Sequence, residues 1–223
     1  MSKHFSSVDA FDEACSAAAI KIACLRSNIA PSSALLVGIS GIDASGNGFV
    51  AAKLASILKD KGFRTAVIDV DGWLNLPNVR FGDQNSGKHF YNHALRLEEM
   101  FERLILPLKE SGSVDIEADF AEEAATEFHR RRYLIDHADV VLLEGIFIFK
   151  RQYRKLFDLK IWIDCSFETA IKRAVTRSQE GLSADDTSKA YRSIYFPAQI
   201  THFKRDQPRE AADLTIVNDD RLR

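Results

Sequence analysis

Gly41 and Gly46 stand five residues apart, and Asn47 and Gly48 follow directly. This is the frame of the phosphate-cradling pattern G-x-x-x-x-G-K-[ST], with asparagine in the lysine's place and glycine in that of the hydroxyl residue. Loop amides backed by the positive end of a helix hold an anion with backbone and glycine alone. The lysine does something else, following the β- and γ-oxygens as charge develops during transfer. A charge-assisted contact contributes roughly 1.5–3 kcal/mol. Its loss predicts phosphoryl transfer slowed by about 10²–10⁴-fold, with phosphate binding less affected. Asp43 opposes phosphate charge unless a metal intervenes, and could supply the magnesium contact that Gly48 lacks. The candidate nucleotide-binding residues are therefore Gly41, Asp43, Ala44, Ser45, Gly46, Asn47, Gly48 and Phe49.

Acids also close two apolar runs: Asp69-Val70-Asp71-Gly72-Trp73 ends one, and Glu144 follows Val140-Val141-Leu142-Leu143. A carboxylate beside an acceptor hydroxyl orients it and takes its proton, the role expected of Asp71. Asp69 suits a structural cap. Charge at the end of a buried strand needs a partner, and magnesium is a natural one for Glu144, with Asp71 nearby. Arg173 and Arg177 are four apart, hence on one helical face, where they could clamp phosphoryl oxygens. Trp73, Phe81, Phe90 and Tyr91 could line a pocket for a flat group. Arg96 could grip an anionic substrate, or pair with Glu98 or Glu99. Arg130-Arg131-Arg132 reads as a solvated helical face, one member of which could reach a phosphate.

The elements that must position these residues follow from hydrophobic period. Five apolar segments read as strands: Leu35 to Ser40, Thr65 to Val70, Val140 to Leu143, Lys160 to Ile163 and Leu214 to Val217. Several are apolar throughout, as strands covered on both faces should be. Helical patterns separate them at Val50 to Lys59, Leu95 to Lys109, Phe167 to Gln179 and Asp185 to about His202. A leading helix from about Ala10 to Arg26, within residues 1–30, follows Asp9 as a plausible cap. The expectation is an α/β fold: a doubly wound, mostly parallel five-stranded sheet flanked by helices, with a short helical lid. Gly82 to Lys88 and Gly181 to Thr187 are the most loop-like interiors and the lid candidates. Ligands of such sheets sit beyond the carboxyl ends of the strands, where the acids fall.

In order and spacing these motifs resemble the uridine kinase/phosphoribulokinase branch of P-loop kinases, from about Leu35 to Asn218. Asp71-Gly72-Trp73 is similar to the family's Asp-Ser-Phe-Tyr element, whose aspartate takes the hydroxyl proton and lies near magnesium. Tyr91-Asn92-His93-Ala94 resembles the Tyr-Asp-His-Pro element of the nucleoside pocket, which implies substrate contacts for Tyr91 and His93. Val140 to Ile146 resembles the strand whose glutamate helps organise the metal, here Glu144. Arg173 and Arg177 match two arginines at the start of the lid, which would span about 178–190. Tyr191 and Pro197 recur at the Tyr-x5-Pro spacing, and Ala212 to Val217 resembles the closing Ala-Asp-Ile-Ile-Val strand. The sequence departs from the family at Asn47, Gly48, Asn92, Ala94, Ser178 and Glu180 to Ser183. The resemblance implies one kinase-like domain over 1–223, with ATP and Mg2+ as cofactors and a nucleoside or sugar-like hydroxyl as acceptor. The departures keep a second reading open, a pseudokinase or nucleotide-binding regulatory module.

Bulk properties narrow the field. Acids and bases nearly cancel, 32 against 30, so no overall field draws nucleic acid or anionic membrane. No run of about 18 apolar residues offers a membrane span. Cys15, Cys24 and Cys165 lack metal-ligand spacing, suit a reducing cytoplasm and read as core residues. A small-molecule partner, with a homo-oligomer allowed, is the expectation. The glycines lack G-x-G-x-x-G spacing, against a dehydrogenase, and no Asn-Lys-x-Asp element marks a GTP switch.

Overall fold

Five all-apolar or nearly apolar segments form one parallel sheet; the central three are covered on both faces, whereas the two edge segments leave Val67 and Val217 exposed. The computed structural model describes residues 7–82, 84–177 and 181–220, with side chains from residue 10 onward. The strands are β1 (Leu35–Gly41), β2 (Thr65–Asp69), β3 (Val114–Phe120), β4 (His129–Ile135), β5 (Val140–Glu144), β6 (Leu159–Asp164) and β7 (Leu214–Val217). The main sheet has the order β2-β5-β1-β6-β7, and every pairing in it is parallel. β1 is central, so its carboxyl end opens at the middle of the sheet edge.

The principal helices are α1 (Ser7–Arg26), α2 (Asn47–Asp60), α3 (Ser86–His93), α4 (97–111), α5 (Phe167–Arg177) and α6 (184–206). Alternate β1 side chains face opposite layers. Leu35, Val37 and Ile39 pack with Cys15, Ala18 and Ile22 of α1 and Val50, Leu54 and Leu58 of α2. Leu36 packs on the other side with residues of α3, α4, α5 and α6. α4 and α6 each contain one π-helical turn, at Phe101–Ile105 and Tyr191–Tyr195.

The five expected parallel strands are present. Three expectations are corrected. Arg130-Arg131-Arg132 lies on β4, not on a helix, and pairs with β3 in an antiparallel hairpin. Asp115 and Asp119 bind Arg132 and Arg130 at 2.7 and 2.8 Å, so the arginine run is held by cross-strand charge. Part of the loop expected at Gly82 to Lys88 is helical. Gly87 of α3 lies so tightly against Pro197 of α6 that a Cβ there would collide with it. Cys24 is exposed, whereas Cys15 and Cys165 are buried. Of the expected lid, 178–180 lie outside the described residues. Ser183 then caps a helix starting at Ala184, its hydroxyl accepting from the Asp186 amide. No helix among the described residues is long and apolar enough to cross a membrane.

Candidate active site

The loop after β1 keeps its shape through close contacts around glycine. A side chain at Gly41 would collide with Ser45 Oγ and approach Ile163 O to 2.8 Å. Gly46 has φ 96°, a left-handed conformation that glycine adopts without strain, and directly precedes α2. The Ser45 hydroxyl donates to Asn47 Oδ1 at 2.9 Å, so the asparagine is engaged inside the loop. Among the described residues no side chain caps α2, which leaves its first-turn amides directed at the cavity beyond the sheet edge. The loop is braced from behind. Asn218 Nδ2 and Arg173 donate to the Ser45 carbonyl at 2.8 and 3.2 Å, and Arg173 also pairs with Asp220 at 2.7 Å.

Asp43, Ala44, Gly46, Asn47, Gly48 and Phe49 line a cavity of about 330 Å³ together with Asp69, Asp71, Glu144 and Arg177. Asp69 and Asp71 also line a second, larger cavity of about 1010 Å³ between the β3–β4 hairpin, the β2 edge and α6. Leu74, Arg80, Glu123 and Tyr195 are shared by both cavities. The two spaces therefore meet at Asp71.

Charge at this junction is unbalanced. Burial, then the neighbouring charges of Asp69, Asp43 and Glu123, push the Asp71 carboxyl up to about 8, against a smaller pull from Arg177. Glu144 is raised to about 8 by burial and by Asp69 and Asp71. Asp69 is also raised by burial, although its Oδ1 accepts the Asp71 amide at 2.8 Å, the expected cap. Glu144 is 8% exposed, and an added Cβ on Gly48 would lie 3.1 Å from its Oε1. The carboxylate thus stands over the place where the loop pattern has a hydroxyl. Lys53 cannot replace the missing ammonium group, since it pairs with Asp12 at 2.8 Å.

Among the described residues, no three His, Cys, Asp or Glu side chains form a self-sufficient metal cage. Magnesium in phosphoryl-transfer sites takes one or two carboxylates, with phosphates and waters completing its shell. Glu144 and Asp71, both raised in pKa, fit that requirement.

The four residues expected to hold the acceptor lie elsewhere. Trp73 is fully buried, stacked on Tyr133 at 5.7 Å, because the turn after Asp71 directs it into the core. The Tyr91 hydroxyl donates to Asp206 at 2.5 Å, inside a cluster with His202. Arg96 is occupied by Glu99 and by the Asp119 and Leu74 carbonyls, at 2.7, 2.5 and 3.3 Å. His93 is exposed beside His89, 4.5 Å between rings, and lines neither cavity. Of the two arginines, Arg177 lies at the cavity, 3.9 Å from Asp43, while Arg173 braces the loop. Sequence reading missed Arg80, Glu123 and Tyr195 as lining residues, and singled out Arg131 only as one of three arginines that could reach a phosphate.

A family model described as Phosphoribulokinase / Uridine kinase family matches residues 36–200. The chain belongs to that family. Comparison with curated protein sequences gives no match. Among solved structures, the "Possible Uridine Kinase" of Bacillus stearothermophilus aligns with TM-score 0.66 and 20% identity, over 88% of this chain and 97% of that one. D-glycerate 3-kinase from Cryptococcus neoformans var. grubii gives 0.64 and 12%, over 96% of each chain. Phosphoribulokinase from Rhodobacter spheroides gives 0.56 and 13%, over 84% of this chain and 71% of that one. At these identities the structures establish a shared fold. This phosphoribulokinase/uridine kinase family chain carries its loop lysine position as Asn47.

Proposed function

We propose that the chain is an ATP- and Mg2+-dependent phosphotransferase that moves the γ-phosphoryl group to a hydroxyl of a small nucleoside or sugar-like metabolite in the cytoplasm. The observation that carries this reading is the position of Asp71, where the loop cavity meets the larger one. Nucleotide phosphates would sit against the amides of Gly46, Asn47 and Gly48. The acceptor would enter from the hairpin side and present its hydroxyl to Asp71, which orients it and takes its proton. Arg177 would face the transferring oxygens. Magnesium held by Glu144 and Asp71 would neutralise phosphate charge and favour the ionised carboxylates. Arg173 shapes the loop from behind.

The missing ammonium group limits turnover more than binding. The test is ATP turnover with a panel of nucleosides, sugar phosphates and sugar acids. Asn47→Lys should raise transfer by about 10²–10⁴-fold, and Asp71→Asn should remove about 10²–10⁴-fold, the usual worth of a positioned base. Folded protein that binds ATP yet transfers to no acceptor, with or without the lysine, overturns the catalytic reading. It would favour a pseudokinase, a reading supported by the engagement of Asn47 with Ser45 inside the loop.

A further inference from the structure

The β3–β4 hairpin has two unlike faces. Pairing places Val114, Ile116, Ala118 and Phe120 on one face with Ile135, Tyr133, Arg131 and His129. The opposite face carries Asp115, Glu117 and Asp119 with Arg130, Arg132 and Leu134. There the charges are matched, Arg132 with Asp115 and Arg130 with Asp119.

Arg131 stands apart from its neighbours. It places a fixed positive charge on the otherwise mainly apolar face, over the rings of Phe120 at 4.7 Å and Tyr133 at 5.4 Å. It forms no ion pair within 4.0 Å among the described residues. It lines the larger cavity with Asp69 and Asp71. Of the other two arginines of that wall, Arg80 is buried and donates to the Asn75 and Glu123 carbonyls, and Arg132 is paired with Asp115. Arg131 is therefore the guanidinium of this cavity whose donors are not taken up by protein oxygens among the described residues.

Two aromatic rings fix the plane of that guanidinium without consuming its N–H groups. A planar fork of donors matches a carboxylate or a phosphate, two oxygens at a time. Asp69 of the same cavity feels the Arg131 charge but lies beyond ion-pair distance, so a neutral ligand would leave the guanidinium N–H groups without an anionic partner. The tyrosine and histidine that resemble a nucleoside-binding element are meanwhile turned away from the cavity.

We infer that Arg131 receives the anionic end of the acceptor, a carboxylate or phosphate monoester carried on a polyhydroxylated small molecule. The hydroxyl to be phosphorylated then lies at the other end, against Asp71. This rests on the phosphotransferase reading for the role of Asp71, but its test needs no ATP and no turnover.

The experiment is ligand-observed NMR titration of the full chain with ribose 5-phosphate, ribonate and ribose, each with and without ADP. Comparison of wild type with Arg131→Gln and Arg132→Gln isolates the inner-face charge from the paired outer one. At least one anion should bind ten or more times tighter than ribose. Arg131→Gln should remove that preference, while Arg132→Gln changes it less than twofold. Whichever of the phosphate and the carboxylate shows the Arg131 dependence identifies the anion. Equal binding of ribose, absence of binding by both anions, or insensitivity to Arg131→Gln overturns the inference. So does displacement of the anion by ADP, which would place it in the loop instead. If the preference holds while ATP turnover fails with every acceptor, the phosphotransferase reading falls and the anion site stands.

Discussion

Two polar clusters in this molecule, one in the interior and one at the cavity wall, meet the same electrostatic problem in opposite ways. In the first, Asp206 accepts from the Tyr91 hydroxyl at 2.5 Å, His202 Nδ1 at 2.7 Å and the Arg151 amide at 3.1 Å. Burial opposes ionisation there, yet these bonds hold its carboxyl down at about 2. In the second, Asp69, Asp71 and Glu144 are crowded together and raised. Both regions take carboxylates partly out of water, with Asp206 and Glu144 buried and Asp69 and Asp71 at the cavity wall, but only one gives them enough donors. A satisfied carboxylate builds structure, whereas an unsatisfied one is ready for a ligand.

The sharpest way to break this contrast is Asp206→Ala. It strands a buried phenol and a buried imidazole whose Nε2 already lacks a partner among the described residues. At about 1–3 kcal/mol for each stranded group, urea unfolding should show a loss of about 3–5 kcal/mol. A loss below about 1 kcal/mol would mean the cluster is not what holds α3 to α6.

A smaller effect of opposite sign is expected in the other cluster. Asp71→Asn removes one of the crowded charges, so the ligand-free chain should gain about 1–2 kcal/mol at pH 8. At pH 5, where the native carboxyl is protonated, the gain should shrink towards zero. Destabilisation at both values would show that the Asp71 carboxylate is held by partners after all.

The pH dependence of the wild type sharpens the comparison further. A carboxyl raised from 3.8 to about 8 binds its proton more tightly in the native than in the unfolded state. Its contribution to stability is complete below about pH 4 and is lost as pH rises towards 8. Asp206 works in the other direction, with stability lost as pH falls from 3.8 towards about 2. Denaturation followed from pH 4 to 8 should thus show declining stability, and Mg2+ with ADP should flatten that decline. A rise across this range would contradict the raised carboxyls.

Gly87→Ala carries a local expectation. The new methyl meets Pro197 and the Ala198 amide across the α3–α6 contact, with the latter at 3.0 Å. Overpacking of this kind costs about 1–3 kcal/mol, read as a lower melting temperature.

The sequence made the sheet legible because its strands are uninterrupted apolar runs, and their ends located Asp71, Glu144 and the loop together. The hairpin was not legible as such. Three consecutive arginines masked an alternation that becomes plain once Glu117 and Asp119 are seen across from Arg132 and Arg130, with Ala118 across from Arg131. Motif spacing placed Trp73 and Tyr91 near the cavity but could not give the direction of their side chains. That direction is set by Tyr133 and Asp206, 60 and 115 residues further along the chain. Arg80 and Glu123 come from segments without periodic pattern, so only the folded chain brings them to the cavity.

The Asn218 amide reaches the Ser45 carbonyl across 173 positions of sequence. On a ribosome, β1, its loop and α2 emerge long before the brace behind them, which is made 173 residues later. The glycine loop therefore acquires its final support only after β7 joins β6 at the sheet edge. Any anion capture by this loop in a nascent chain should accordingly await the arrival of Asn218 and not begin with appearance of the motif.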